Sequence, residues 1–130
     1  MQTGDKFVHN FQVTPLIYER FIEAYEDKNP LHTDADYARS KGFKSIVMHG
    51  NILNGFVSYF IGECLPMKNV YILSQSIKFA QPVYLGTKLE FNAEVTDFID
   101  AIHSYGFKFH FKNEEGVKVA KGEIQIGLII

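Results

Sequence analysis

The chain has one cysteine, Cys64, and no tryptophan among its 130 residues. A single thiol cannot form an internal disulfide, so the sequence favours a reducing compartment and predicts a cytoplasmic protein. No activating partner for Cys64 is evident, and we predict a small buried apolar residue rather than a nucleophile.

An excess of positive charge is also missing, since 13 Lys and Arg face 15 Asp and Glu, for a net charge of −2. Binding to nucleic-acid phosphates needs clustered basic residues, so we expect no nucleic-acid partner. No apolar run approaches the roughly 20 residues that span a bilayer, and the first residues lack a signal-peptide pattern. We find no linker, repeat or low-complexity segment, which predicts a single domain over residues 1–130.

The first half of the chain carries helix signals. A first strand is predicted at Lys6–Gln12, followed by a helix with Thr14 as N-cap and Pro15 at its first position. That helix should end before Asn29-Pro30, because proline disfavours helical geometry in the residue preceding it. Asp34 is predicted to cap a short helix running to about residue 41, with Gly42 just beyond its end.

The second half alternates apolar and polar residues at period two, which predicts strands. The alternating segments cover residues 71–79, 89–95, 105–112 and 117–128. Asn113–Gly116 is a hairpin-turn sequence. In the last segment the apolar residues change from odd to even positions at Gly122, which predicts a β-bulge there. Helices segregated from an antiparallel sheet define the α+β class.

One helix between these halves is unusual because it has no charge from Asn51 to Gly62. A surface helix normally carries several charges, so we predict that this one is largely buried, with the curved sheet wrapped around it. Its apolar stripe consists of Ile52, Leu53, Phe56, Val57, Phe60 and Ile61.

Asp27 and His32 are the first candidate catalytic residues. They lie five residues apart across a turn that contains Pro30, so their side chains can converge on one small site. A carboxylate and an imidazole that share a water molecule are the groups that proton transfer needs. Asn29, between them, can fix the turn or orient a ligand. The alternative is an ordinary loop in which His32 satisfies a backbone carbonyl.

Gly50 is the second candidate, at the start of the uncharged helix. Backbone N–H groups there have no helical partners and can hold an oxyanion, and glycine allows a ligand to approach closely. The alternative is an ordinary helix start. Together the two features describe α-proton exchange on a thioester, with loss or addition of water. We interpret the adjacent His49 as a structural brace for the turn.

Three segments resemble motifs of the MaoC-like (R)-specific enoyl-CoA hydratases. Residues 27–32, followed by Ala38, resemble the family's D-x-N-P-[LIV]-H motif and its small residue. Residues 47–50 resemble V-x-H-G, and residues 79–86 resemble F-x-x-P-V-x-x-G. The motifs occur in the family order, and the similarity spans roughly residues 5 to 128.

The resemblance implies a hotdog fold, a homodimer or an oligomer of dimers, and an active site near the dimer interface. It implies that Asp27 and His32 hold one water for syn addition to a trans-2-enoyl thioester, or for the reverse dehydration. The Gly50 N–H then polarises the carbonyl, with Asn29 as a supporting residue. It implies no cofactor beyond coenzyme A or acyl carrier protein as substrate carrier. Apart from the resemblance, Ser58 shares the helical face of Gly50, where it either hydrogen-bonds within the site or pairs with backbone in a buried seam.

Two positions beside the first motif differ from many members of the family, which have a small residue at the position of Tyr25 and Gly or Glu at the position of Glu26. Tyr25 would narrow an acyl pocket, and we expect Glu26 to face solvent. The basic residues near the motif either receive the phosphates of coenzyme A or contact an acidic carrier, or they form a plain solvated surface. These residues are Arg39, Lys41, Lys44 and Lys78.

Two other functions stay open at this stage. A hotdog acyl-CoA thioesterase would use the same helix start to activate water for attack on the carbonyl. A non-catalytic acyl-thioester-binding or heterodimer-partner subunit would be expected to lack Asp27 and His32, which are present. No metal site is predicted, because His9, His103 and His110 have no ligand-type partners at suitable spacing.

Overall fold

Capping residues set the helix boundaries in the computed structural model, which describes residues 1–130. Thr14 accepts a hydrogen bond from the Ile17 N–H, and Asp34 accepts one from the Tyr37 N–H, as predicted. Gly42 adopts φ +93° just beyond the third helix. The elements are β1 (Lys6–Gln12), α1 (Pro15–Tyr25), α2 (Pro30–Thr33), α3 (Ala35–Ser40), α4 (Gly50–Tyr59), β2 (Val70–Phe79), β3 (Lys88–Ile99), β4 (Ser104–Lys112) and β5 (Lys118–Leu128).

The five strands form one antiparallel sheet in the order β1-β3-β4-β5-β2. Helix α4 supplies four core residues, and its continuation as a π-helical turn, Phe60–Cys64, supplies two more. The remaining core comes mainly from alternate residues of β3, β4 and β5, which pack against this helix. A sheet wrapped around one central helix is the hotdog fold, so the predicted α+β class and fold are confirmed.

The central helix is only half covered by its own chain. All six residues of its predicted apolar stripe are buried. Its uncharged opposite face is open, with Asn51, Gly55, Ser58 and Tyr59 exposed. The prediction of a largely buried helix is therefore wrong for the single chain. Gln75 donates to Asn54, and the rings of His9 and Phe11 lie beside Tyr59, but these contacts leave most of the second face exposed.

The predicted bulge lies three residues earlier than expected. Phe111 pairs with Ala120 but Lys112 pairs with Lys118, so Val119 is the extra residue in β5. Gly122 is regular in its ladders and serves another purpose. A Cβ there would lie 2.0 Å from the Ser76 carbonyl oxygen, so this position needs glycine for close strand approach.

Strand β2 does not follow its predicted burial pattern. It pairs only with β5 and is the edge of the sheet. Of the four residues predicted to face the core, Tyr71, Leu73 and Phe79 are each about half exposed, and only Ile77 packs against it. Apolar residues along an open edge indicate a surface that another element covers.

The helices of the chain are all too short or too polar to span a membrane.

Phe60 should be among the most important side chains for stability. It is fully buried, and its ring lies 5.5 Å from Phe7, 4.8 Å from Phe91 and 5.9 Å from Phe107. We expect Phe60→Ala to lower the free energy of unfolding by about 3–5 kcal/mol, because it leaves a cavity among these rings. Urea denaturation measures this, with the exposed Leu16→Ala as a control that should change it by less than about 0.5 kcal/mol. An equal loss in both variants would contradict this packing.

Candidate active site

The motif at residues 27–32 forms a tight turn between α1 and α2. Glu26 ends α1 in the left-handed conformation, at φ +57°. Asn29 caps α2, since its Oδ1 accepts from the Leu31 N–H at 3.0 Å. The short helix α2 was not predicted, because four residues are too few to show a helical period. Asn29 therefore shapes the turn through the contact of its side chain with the Leu31 backbone.

His32 is held in one orientation by two neighbours. Its Nδ1 lies 2.6 Å from the Val47 carbonyl oxygen and must donate to it, because a carbonyl only accepts. The Tyr18 hydroxyl donates to the His32 carbonyl at 2.6 Å. In the neutral ring this leaves the lone pair on Nε2 of His32, which suits a base.

Asp27 is exposed, and its carboxylate is positioned by the turn. The Asn29 N–H donates to Oδ1 of Asp27 at 3.2 Å. His49 fixes the backbone of the same residue, since its Nε2 donates to the Asp27 carbonyl at 2.9 Å. The His49 ring is 3% exposed and lies 4.0 Å from the His32 ring, centroid to centroid. His49 therefore braces the turn, as interpreted from the sequence.

Gly50 is the first residue of α4, and its N–H has no hydrogen-bond acceptor in the chain. The His49 side chain does not cap the helix. A Cβ on Gly50 would lie 2.8 Å from the Phe79 ring, so any larger residue displaces that ring. This helix start is thus an open donor site beside an aromatic wall.

One cavity of about 540 Å³ unites these features, and we call it the active-site cavity. It brings together Asp27, His32 and Gly50, three of the predicted site residues. His49, Phe79 and Phe21 also line it. A carboxylate, an imidazole lone pair and a free backbone N–H around one space can hold a water beside a polarised carbonyl.

A second opening, the helix groove, has a volume of about 880 Å³ and shares Phe21, Asp27 and Asn51 with the active-site cavity. Ser58 and Tyr25 also line it. Ser58 makes no side-chain hydrogen bond, so the structure places it near the carboxylate without contact. Tyr25 is 73% exposed at the groove wall, and Glu26 faces solvent as expected.

The four predicted phosphate contacts are not brought together. Arg39 pairs with Asp36 at 3.3 Å, and the Lys41 ammonium lies 5.5 Å from the centre of the Tyr37 ring. Lys44 is exposed, and its backbone N–H donates to the Tyr84 hydroxyl. Lys78 points to the outer face of the sheet, because the next residue, Phe79, lines the active-site cavity.

Cys64 is half-buried, which is less than predicted. Its Sγ lies 3.9 Å from Nδ1 of His9. Burial raises the pKa of the Cys64 thiol, with a smaller lowering effect from Lys68. Because the thiolate is the reactive form, this environment agrees with the prediction that Cys64 is not a nucleophile.

Sequence reasoning missed Tyr18 and Phe79. Tyr18 comes from α1 and holds the His32 backbone, and burial raises the pKa of its hydroxyl. Phe79 lies 29 residues beyond Gly50, and only the sheet brings it there. Neither contact has a local sequence signal, although Phe79 begins the third recognised motif.

A sheet wrapped around one central helix, with a carboxylate and an imidazole beside the first N–H of that helix, places the chain among the hotdog-fold proteins. Residues 2–108 match the model of the MaoC-like domain. The chain therefore belongs to the MaoC-like domain family, and the resemblance seen in the motifs is confirmed.

Curated relatives carry related activities. The (R)-specific enoyl-CoA hydratase of Aeromonas caviae is 37% identical over 76 residues, which are 58% of this chain and 57% of that protein. The mitochondrial 3-hydroxyacyl-[acyl-carrier-protein] dehydratase of Arabidopsis thaliana is 32% identical over 106 residues, 79% of this chain and 63% of that protein. The chain thus spans little more than half the length of such relatives.

Two solved structures share the whole fold. The (R)-hydratase from A. caviae superposes with a TM-score of 0.90 at 26% identity, over 99% of this chain and 98% of that one. The unliganded R-hydratase PhaJ1 from Pseudomonas aeruginosa gives a TM-score of 0.88 at 27% identity, over 98% of this chain and 82% of that one.

Proposed function

We propose that the chain catalyses (R)-specific hydration of trans-2-enoyl thioesters and the reverse dehydration of (R)-3-hydroxyacyl thioesters. The observation that carries this is the convergence of Asp27, His32 and the free Gly50 N–H on one cavity. The hydratases and dehydratases among its relatives support the same reaction class.

The geometry suggests distinct roles for the two acid–base groups. In the neutral ring of His32, Nε2 is the nitrogen with the lone pair, because Nδ1 donates to the Val47 carbonyl. It takes a proton from a water as the hydroxyl oxygen bonds to C3 of the substrate, and the resulting imidazolium returns that proton to C2. Asp27 orients the water and stabilises the imidazolium. Both parts of one water add to the same face, and the reverse path releases it.

Gly50 acts on the other end of the conjugated system. As the hydroxyl bonds to C3, an electron pair shifts onto the thioester oxygen. The Gly50 N–H donates to that oxygen and stabilises its charge, aided by the positive end of α4. Hydration is not a redox reaction, so the proposal requires no cofactor beyond the coenzyme A or acyl carrier protein that carries the acyl group.

Crotonyl-CoA tests this function and separates it from the thioesterase alternative. We expect the absorbance of the conjugated enoyl thioester to fall without release of free thiol. Longer enoyl-CoA chains and enoyl-acyl carrier protein extend the test to other substrates. Free thiol without hydration would favour a thioesterase, and binding without turnover would favour a non-catalytic subunit.

We also propose that two copies of the chain pair through the open face of α4 and the edge strand β2. The exposed, uncharged Asn51, Gly55 and Ser58 support this, as do the half-exposed Tyr71 and Leu73 on β2. A second copy there would close the helix groove beside Asp27.

The cytoplasmic location of the protein stays a prediction.

Gly55→Glu should break this dimer without harming the protomer. A Cβ on Gly55 meets no atom within 4 Å, and glutamate favours helix more than glycine does. A charge on each copy at the pairing face would be buried unpaired in a dimer, so we expect light scattering to show monomers. The unfolding midpoint of this variant should be at least as high as the midpoint of the parent chain in its monomeric state. A variant that remains dimeric would show that pairing uses another surface.

A further inference from the structure

Asp27, His32 and His49 form a cluster that proton transfer alone does not explain. Each offers one metal-ligand atom, and the three atoms all lie within 4.8 Å of one another. The spacing in the sequence does not reveal this cluster, because residue 49 is 17 positions beyond residue 32 and only the fold brings the two side chains together. His49 has a role as a brace through Nε2, which leaves its other nitrogen unexplained.

The other nitrogen of His49, Nδ1, indicates that the cluster binds a ligand. Nε2 of His49 donates to the Asp27 carbonyl, so in the neutral ring Nδ1 is the nitrogen with the lone pair. Nδ1 is buried without any hydrogen-bond partner, on a side chain that is 3% exposed and lines the active-site cavity. A buried polar atom left unpaired costs about 1–3 kcal/mol, so a native structure normally supplies it with a partner.

The cluster presents acceptors and no donor. Nε2 of His32 and Nδ1 of His49 are lone pairs, because the opposite nitrogen of each ring donates to a backbone carbonyl. The Asp27 carboxylate adds oxygen acceptors and makes one hydrogen bond, with the Asn29 N–H. One water has two protons and cannot donate to three acceptors at once, whereas a single cation attracts all of them.

We propose that Asp27, His32 and His49 bind a divalent transition-metal ion of the zinc type, which displaces the catalytic water and reversibly stops turnover. Two neutral imidazoles and a carboxylate are a donor set that suits Zn²⁺. Ligand atoms around tetrahedral zinc lie about 3.3 Å apart, so the cluster closes by up to about 1.5 Å. Asp27 is exposed, so its side chain can approach the two imidazoles.

The inhibitory consequence rests on the proposed hydratase function, but metal binding does not. A metal ion on Nε2 of His32 occupies the lone pair that the reaction uses as its base, and one on Asp27 removes the group that orients water. The enzyme would therefore be inactive in proportion to metal occupancy and would recover when a chelator removes the ion.

Binding is measured first, on the full chain in chelator-free buffer, with Zn²⁺ by calorimetry and Co²⁺ by its visible absorption. We expect one ion per chain, with nitrogen ligands evident in the cobalt spectrum. Asp27→Asn and His49→Gln should each weaken binding by at least about 10-fold, since each removes a ligand. Cys64→Ser is the matched control, because Cys64 and His9 are the other soft-metal donors in contact, and it should leave binding unchanged.

Turnover of crotonyl-CoA is then followed as zinc is added. We expect activity to fall with occupancy and to return with EDTA. Absence of saturable binding, binding lost in Cys64→Ser instead of Asp27→Asn, or activation by zinc would each overturn the proposal. If His49→Gln fails to fold by circular dichroism, Asp27→Asn decides alone, since its side chain is exposed. Metal binding without any hydration would retain the site and refute the proposed function.

Discussion

Replacing His32 by Gln or Asp27 by Asn should lower kcat/KM for enoyl-thioester hydration by about 100-fold or more. General acid–base groups typically contribute this much. His32→Gln removes the proton-accepting imidazole, and Asp27→Asn removes the carboxylate charge that stabilises the imidazolium while keeping the shape of the side chain. His32→Gln loses the Nε2 lone pair that faces the active-site cavity. Initial rates with crotonyl-CoA measure the effect.

Glu26→Gln is the matched control for Asp27→Asn. Glu26 is the adjacent carboxylate, and it faces solvent at the end of α1. Removing its charge should change kcat/KM by less than about twofold, because exposed charges act weakly at a distance. Equal losses of kcat/KM in the Glu26 and Asp27 variants would mean that the reaction depends on the negative charge of this region and not on the position of the Asp27 carboxylate.

Removing the Gly50 N–H should cost about 10²–10³ in kcat, the effect of losing one oxyanion donor. Gly50→Pro deletes this donor, and proline suits the first position of a helix. His49 precedes it with φ −59° and ψ 129°, a conformation that a following proline allows. A Cβ at Gly50 would collide with Phe79, so both partners of the comparison need Phe79→Ala.

Gly50→Ala with Phe79→Ala is the reference for this experiment. It adds the same Cβ in the same enlarged space and keeps the N–H. The ratio of kcat between the alanine and proline variants therefore isolates the donor, with circular dichroism as the check on folding. Equal kcat values would contradict an oxyanion role for Gly50 and leave this helix start as a purely structural feature.

Most of the fold could be predicted from local sequence patterns. Thr14 and Asp34 mark helix starts because a side-chain oxygen caps the N–H groups that follow, and this needs no distant partner. The stripe of α4 was visible because one helix face meets the core. The bulge at Val119 was displaced to Gly122, since both sites interrupt the same alternation and only pairing with β4 separates them.

The site was predictable only in part, for the same reason. Asp27 and His32 lie within one turn, so their convergence follows from local geometry. The contacts of Tyr18 and His49 with that turn join distant segments, and only the assembled fold creates them. The open face of α4 was mistaken for a buried one, because lack of charge does not distinguish a protomer core from a surface that a second chain covers.

The most direct test of the proposed function is the stereochemistry of hydration in D₂O. The chain would be mixed with crotonyl-CoA, and the product analysed by chiral chromatography and NMR. A single water added to one face by Asp27 and His32 predicts (R)-3-hydroxybutyryl-CoA with deuterium at C2, syn to the hydroxyl. The (S) product, anti addition, or free thiol with the enoyl group unchanged would contradict the proposed mechanism.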